Sequence, residues 1–193
     1  MDILQIVRIL ENIDKSIFTA QDFRKILDIK NSNTLYKTIE KLNKRGILTK
    51  IAKGVYFNST KVPNEFEIAN VLQKPSYVSL ESALNFYGIL IQTPYQIISV
   101  TPGRSKEVVV EEKEFIFCHL SSGYFWGYKK VDDFLIAEVE KAVIDTLYFK
   151  SKGRGTIDLG ECDLSLINIR KLKRYASMIK WPAFQKLFRE VFL

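Results

Sequence analysis

Lys30-Asn31-Ser32-Asn33-Thr34-Leu35-Tyr36-Lys37-Thr38-Ile39-Glu40-Lys41-Leu42-Asn43-Lys44-Arg45-Gly46 is the stretch on which the fold turns. Polar turn residues at 30–33 lead into a helix predicted from about Asn33 to Arg45, with Ser32 or Asn33 available to cap it. Leu35, Ile39 and Leu42 recur at helical spacing and form a core-facing stripe. Asn33, Lys37, Glu40 and Lys44 project from the opposite side, flanked by Tyr36 and Lys41. Gly46 fits the position after the helix, where a left-handed backbone is needed.

Working outward, Ile3, Ile6, Val7 and Leu10 predict an earlier amphipathic helix. Thr19 reads as the N-cap of a second, with Asp22 as the partner in a capping box and Phe18 as a hydrophobic staple. Phe23, Ile26 and Leu27 are its buried stripe. Downstream, Ile47 to Ala52 and Val55-Tyr56-Phe57 predict two strands joined by a tight turn at Lys53-Gly54. Helix, helix, turn, basic helix and hairpin is the order of a winged helix-turn-helix. Such a module suits DNA because a helix fits the major groove and the hairpin tip reaches a phosphate or the next groove. Asn31, Ser32, Asn33, Tyr36 and Lys37 are candidates for bases and nearby phosphates. Lys41, Lys50 and Lys53 suit phosphates, since lysine is a point charge that gives position more than sequence. A helical module used for protein contacts remains the alternative.

Composition supports an anionic partner. The chain has 193 residues, 29 Lys+Arg against 22 Asp+Glu, and a formal charge of +7. Residues 1–60 carry 11 basic and 6 acidic side chains, residues 61–150 carry 9 and 12, and residues 151–193 carry 9 and 4. A basic head, a mildly acidic middle and a basic tail point to different surfaces for different partners. Two cysteines and one histidine leave most metal and triad chemistries short of ligands. His119 and Cys118 are strand neighbours that point to opposite faces, so they do not form a base–nucleophile pair. No catalytic residue, metal site or cofactor is expected. No run approaches a membrane-spanning length and the start lacks a signal pattern, so a cytoplasmic location is expected.

Lys61-Val62-Pro63-Asn64 is a polar break. It separates a DNA-binding domain at 1–60 from a second domain at 65–193. There the pattern predicts a helix from Phe66 to Gln73 and another after Ser79 as cap. Strands follow at Ile97–Thr101, Glu107–Val110, Phe115–Leu120 and Tyr124–Lys130. Helical spacing resumes at Ile136, and helices follow at Leu164–Ile179 and after Trp181-Pro182. The expected class is α+β, with a small antiparallel sheet bracketed by helices. On the helix from about Ala137 to Lys150, Glu138, Lys141 and Asp145 line a face that is a partner surface, a solvated face, or one through which a single charge anchors the helix to the domain. Arg170, Lys173 and Arg174 form a basic stripe opposite Leu172, Tyr175, Ala176 and Ile179. That stripe is a candidate second DNA or partner surface.

The second domain resembles a known family. Pro75-Ser76-Tyr77-Val78-Ser79-Leu80-Glu81-Ser82-Ala83-Leu84-Asn85-Phe86-Tyr87-Gly88 is similar to the P-S-Y-(I/V)-S-L-E-S-A-L-x-(Y/F)-(Y/H)-G segment of AbiEi-type antitoxins, predicted transcriptional regulators of viral defence systems. Val100-Thr101 before Arg104 resembles that family's strand ending in threonine ahead of a basic loop. Tyr124-Phe125-Trp126-Gly127 resembles its Y-F-x-G turn. Ala137-Glu138-Val139-Glu140-Lys141-Ala142-Val143-Ile144-Asp145 resembles its A-x-P-E-K-A-(L/V)-(L/I)-D helix start, with Val139 in the place of proline. The resemblance spans residues 75–150 well, the head by architecture and the tail loosely.

It implies a type IV toxin–antitoxin module of the abortive-infection kind. The N-terminal winged helix represses the operon promoter at repeated sites, and the second domain counters a nucleotidyltransferase-like toxin. Such antitoxins are described as acting without a stable toxin complex, so direct contact ranks second. Glu138, Lys141 and Asp145 are then the candidate antitoxin surface. The expectation is a non-enzymatic DNA-binding repressor and antitoxin. The alternatives are a nucleic-acid-acting enzyme targeted by a winged helix, or a stand-alone regulator without a toxin.

Overall fold

A computed structural model describes residues 2–154 and 162–192, and the chain divides into two compact units, Met1–Asn64 and Glu65–Leu193. The first unit runs α1 (Ile3–Glu11), β1 (Ile17–Thr19), α2 (Ala20–Ile26), α3 (Ser32–Lys44), β2 (Leu48–Ala52) and β3 (Val55–Asn58). Its three strands form an antiparallel sheet in the order β1-β3-β2. Local chemistry explains the boundaries. Thr19 and Asp22 make the capping box at the start of α2, with the Asp22 N–H donating to Thr19 Oγ1 at 3.1 Å. Gly46 and Gly54 both take positive φ, at 69° and 74°, where α3 ends and where β2 turns into β3. Asn31, rather than Ser32 or Asn33, caps α3: its Oδ1 accepts the Thr34 N–H at 3.1 Å.

Leu35, Ile39 and Leu42 are buried, together with Ile6, Leu10, Phe18, Phe23, Leu27, Leu48 and Tyr56. Each large apolar side chain sunk in this way contributes about 1.5–3 kcal/mol. The strand β1 is not among the strands that the sequence pattern predicts. Phe18 sits in it, ring against Phe23 at 5.5 Å, where the pattern predicts only a staple. Three residues are too few for alternation to register, and β1 exists because β3 offers it an edge, with Phe18 opposite Tyr56.

The second unit is α+β. It contains α4 (Glu65–Leu72), β4 (Tyr77–Val78), α5 (Leu80–Phe86), β5 (Ile97–Thr101), β6 (Lys106–Val110), β7 (Lys113–His119), β8 (Tyr128–Val131), β9 (Phe134–Ala137), α6 (Val139–Ser151), α7 (Ile169–Met178) and α8 (Pro182–Phe192). Its six strands are ordered β6-β7-β5-β4-β9-β8. This corrects the expected small antiparallel sheet: β5 runs parallel to β7, and β4 runs parallel to β9. The parallel partners are far apart in sequence, so local turn signals do not reveal them. The two-residue β4 is too short to show a period, and Phe134-Leu135-Ile136-Ala137, wholly apolar, reads as easily as a helix start. The predicted strand at Tyr124–Lys130 is half correct. Ser122–Tyr124 form a 3-10 turn, Gly127 turns the chain at φ 73°, and only then does β8 begin.

Helix α6 is the axis of this unit. Every residue from Glu140 to Phe149 is buried, and the helix packs against α5, α7, α8 and β9. A helix covered all round lacks the polar face that amphipathic spacing implies.

Candidate functional site

Two arrangements in the chain concentrate candidate functional side chains: the outer side of α3 with the β2–β3 hairpin, and a polar centre inside the second unit.

All eight side chains singled out for DNA are exposed: Asn31, Ser32, Asn33, Tyr36, Lys37 and Lys41 on or capping α3, Lys50 on β2, and Lys53 in the β2–β3 turn. Tyr36 is 54% exposed, a large fraction for an aromatic ring with no core role. Among the described residues, Lys37, Lys41, Lys50 and Lys53 form no ion pair, whereas Lys44 reaches Glu40 at 2.7 Å. Two of the polar candidates already hold local partners. Asn31 Oδ1 is engaged in capping, and Ser32 Oγ accepts from Arg24 Nη2 at 2.9 Å. Arg24 is a residue that spacing alone does not flag, because it lies on α2 and reaches the site only through the turn.

In the second unit Arg170, Lys173 and Arg174 are exposed on α7, while Leu172 and Ala176 are buried beneath them, as the stripe predicts. Lys171 between them faces inward, reaching Glu140 at 2.9 Å and Glu138 at 3.4 Å.

The predicted Glu138/Lys141/Asp145 surface is overturned. Lys141 is 0% and Asp145 1% exposed. Lys141 Nζ donates to Asp145 Oδ1 one helical turn away. The other carboxylate oxygen of Asp145 accepts the Ser79 hydroxyl at 2.7 Å and the Tyr77 hydroxyl at 3.0 Å. Above the ammonium lie the Trp126 ring at 4.9 Å and the Tyr77 ring at 5.5 Å from Nζ. A Cβ on Gly127 would stand 3.1 Å from Lys141 Cγ, so glycine is what admits this close approach. Glu138 is half-buried, accepting from the Tyr175 hydroxyl. Burial drives Lys141 below the ordinary lysine range against the opposing pull of Asp145, and it pushes the Tyr77 phenol far up. The i, i+4 spacing read as a face is real, but the charges turn inward because one partner neutralises the other.

Ser79 departs from expectation for the same reason. It precedes α5 but makes no side-chain cap, since its hydroxyl goes to Asp145. Leu80, which follows, sits at φ 53°, a left-handed conformation that costs a leucine about 1–3 kcal/mol. Three of the four stretches that resemble AbiEi-type antitoxins therefore meet at one enclosed ion pair. Ser79 and Tyr77 come from the first, Trp126 and Gly127 from the second, and Lys141 and Asp145 from the third. This centre ties β4, α6 and the turn before β8 together, and its Tyr77, Ser79, Lys141 and Asp145 side chains are buried.

A second internal tie joins α6 to α7. Glu140 Oε2 accepts from Lys171 at 2.9 Å, and its Oε1 from the Asn168 N–H at 3.2 Å. Burial pushes the Glu140 carboxyl up, but these donors outweigh it and hold it below the ordinary glutamate value. Its contribution is therefore complete above that value and is lost as pH falls through it toward the folded one. Glu140→Gln is expected to lower stability at pH 7 by about 1–2 kcal/mol. It should also flatten the acid limb below the ordinary glutamate range, where the wild type loses this contribution, followed by urea titration. A wild-type acid limb in the variant would remove this pair from the stability argument.

His119 is exposed, with Nδ1 2.8 Å from the Gly103 carbonyl oxygen. Burial pushes the neighbouring Cys118 thiol up to about 11, so it is a poor thiolate at neutral pH. Among the described residues no cluster of three His, Cys, Asp or Glu side chains could hold a metal ion. No helix among them is long and apolar enough to cross a membrane.

The chain belongs to DUF6088, a family of unknown function, whose match covers residues 5–143 and so takes in α1 through the start of α6. No curated protein matches the chain.

Proposed function

We propose that the chain is a cytoplasmic, sequence-specific DNA-binding repressor with a winged helix-turn-helix in its first unit and an AbiEi-like antitoxin domain in its second. The observation that carries the DNA-binding part is the outer side of α3. A helix following a helix and a short turn keeps Leu35, Ile39 and Leu42 in the core and holds Asn33, Tyr36, Lys37 and Lys41 out in water. Lys53 is exposed in the turn of the β2–β3 hairpin, which supports reading that hairpin as a wing. Among the described residues Lys37, Lys41 and Lys53 form no ion pair, and lysines that meet phosphates release counterions, which drives association with duplex DNA. The antitoxin part rests on the resemblance between residues 75 and 150. The enclosed Lys141–Asp145 centre supports a shared core rather than a shared contact surface. The functional partner is a nucleotidyltransferase-like toxin, which the second domain counters, and action without a stable toxin complex ranks ahead of direct contact.

The test is a gel-shift series with the full chain and a duplex from immediately upstream of its own coding sequence, against a scrambled duplex of equal length. Preference for the upstream duplex, weakening as salt rises, is the expected result. Equal weak binding to both, or none at low salt, rejects the repressor reading. Growth rescue on co-expression with a neighbouring nucleotidyltransferase-like gene tests the antitoxin part.

Arg170, Lys173 and Arg174 provide the second polyanion surface in this scheme. Replacing all three by alanine should weaken binding to a duplex with two sites by roughly tenfold or more and lower the salt slope. A superimposable binding curve would leave α7 with a solvated face only.

A further inference from the structure

We infer that Arg24 is a positioning residue that sets the Ser32 hydroxyl as a hydrogen-bond donor toward DNA, an inference that rests on the winged-helix reading. Arg24 lies on α2, half-buried, and its guanidinium bridges the turn into α3. Nη1 donates to the Lys30 carbonyl oxygen at 3.1 Å and Nη2 to Ser32 Oγ at 2.9 Å. Arg24 forms no ion pair among the described residues, and its position beside the first turn of α3 runs against the helix dipole. What holds it is the two-pronged fit of a planar fork, which a lysine cannot reproduce.

The consequence falls on Ser32, the first residue of α3 and an exposed one. A serine hydroxyl can donate or accept. With its oxygen already accepting from Arg24, its proton is directed away from α2, toward whatever lies against the N-terminal end of α3. A hydroxyl so fixed pairs with an acceptor: a phosphate oxygen, or guanine O6 or N7, or thymine O4 in the major groove. It is poorly placed to accept from the amino group of adenine or cytosine. Arg24 thus acts through Ser32 without touching the duplex.

A double-mutant cycle on the full chain tests this, using the upstream and scrambled duplexes in a salt series. Ser32→Ala and Arg24→Ala should each weaken specific binding about tenfold, and the double variant should be no worse than either alone. Arg24→Ala should leave the salt slope at the wild-type value. Arg24→Lys should behave like Arg24→Ala despite keeping the charge. Melting curves check the fold; should Arg24→Ala be poorly folded, Arg24→Lys completes the cycle in its place. Losses that multiply to about a hundredfold, with the slope falling by roughly 0.9, would make Arg24 a phosphate ligand in its own right and overturn the inference. Wild-type affinity in both Arg24 variants overturns it as well. Wild-type protein that ignores both duplexes at low salt brings down the functional reading and this inference together, an outcome distinct from failed coupling in a chain that binds.

Discussion

Asp145→Ala is expected to destabilise the second unit by about 3–5 kcal/mol, the cost of leaving a buried cation without its partner. The substitution strands three groups at once: the Lys141 ammonium, which has no exposed surface, and the hydroxyls of Tyr77 and Ser79. In a unit of this size the loss corresponds to a fall in Tm of roughly 10–20 °C. Both tryptophans, Trp126 and Trp181, lie in the second unit, so their fluorescence follows its unfolding separately from that of the first. Trp126 sits over Lys141 itself, so its emission should shift in the variant even before melting. Two companions sharpen the result. Asp145→Asn keeps an acceptor for the hydroxyls and should lose less. Lys141→Met combined with Asp145→Leu removes both charges and should recover much of the stability, because an apolar pair of similar volume avoids the desolvation of two ions. Asp145→Ala melting at the wild-type temperature would show that the enclosed pair is not what ties β4 and the Tyr124–Gly127 turn to α6.

The second large effect is on DNA. Lys37→Ala with Lys53→Ala should reduce the salt slope of promoter binding by roughly 1.8, about 0.9 for each phosphate no longer neutralised. At physiological salt the affinity should fall roughly tenfold to a hundredfold, equally for upstream and scrambled duplexes if both side chains serve phosphates. Both lysines are exposed, and neither forms an ion pair among the described residues, so their removal should leave the melting curve unchanged. Lys130→Ala is the matched control: it removes one charge from a lysine that faces Asp133 at 3.1 Å in the β8–β9 turn. Unchanged slope and affinity in the double variant would take the hairpin tip and the middle of α3 out of the interface.

Most of the first unit is legible from residue order, because its determinants are local. Caps, turn glycines and a stripe at 35, 39 and 42 act over a few residues, and they specify α2, α3 and the β2–β3 hairpin to within a residue or two. The same holds for α4, for β5 to β7, and for the basic stripe on α7, where buried Leu172 and Ala176 lie opposite exposed Arg170, Lys173 and Arg174. Exposure of the candidate DNA side chains on α3 follows directly from helical periodicity.

Long-range pairing is not legible in this way. β1 and β4 are two or three residues long and become strands only because a neighbouring strand supplies hydrogen-bond partners. The parallel alignments of β5 with β7 and β4 with β9 depend on chain crossovers that leave no mark in local spacing. The charges on α6 show the limit most clearly. Glu138, Lys141 and Asp145 repeat as a solvated stripe would, and one-dimensional order treats a charged residue as an outward one. Whether such a residue faces water depends on whether a partner can neutralise it indoors. Tyr77, Ser79 and Trp126, brought from 15 to 68 positions away, complete that enclosure only once the chain has folded.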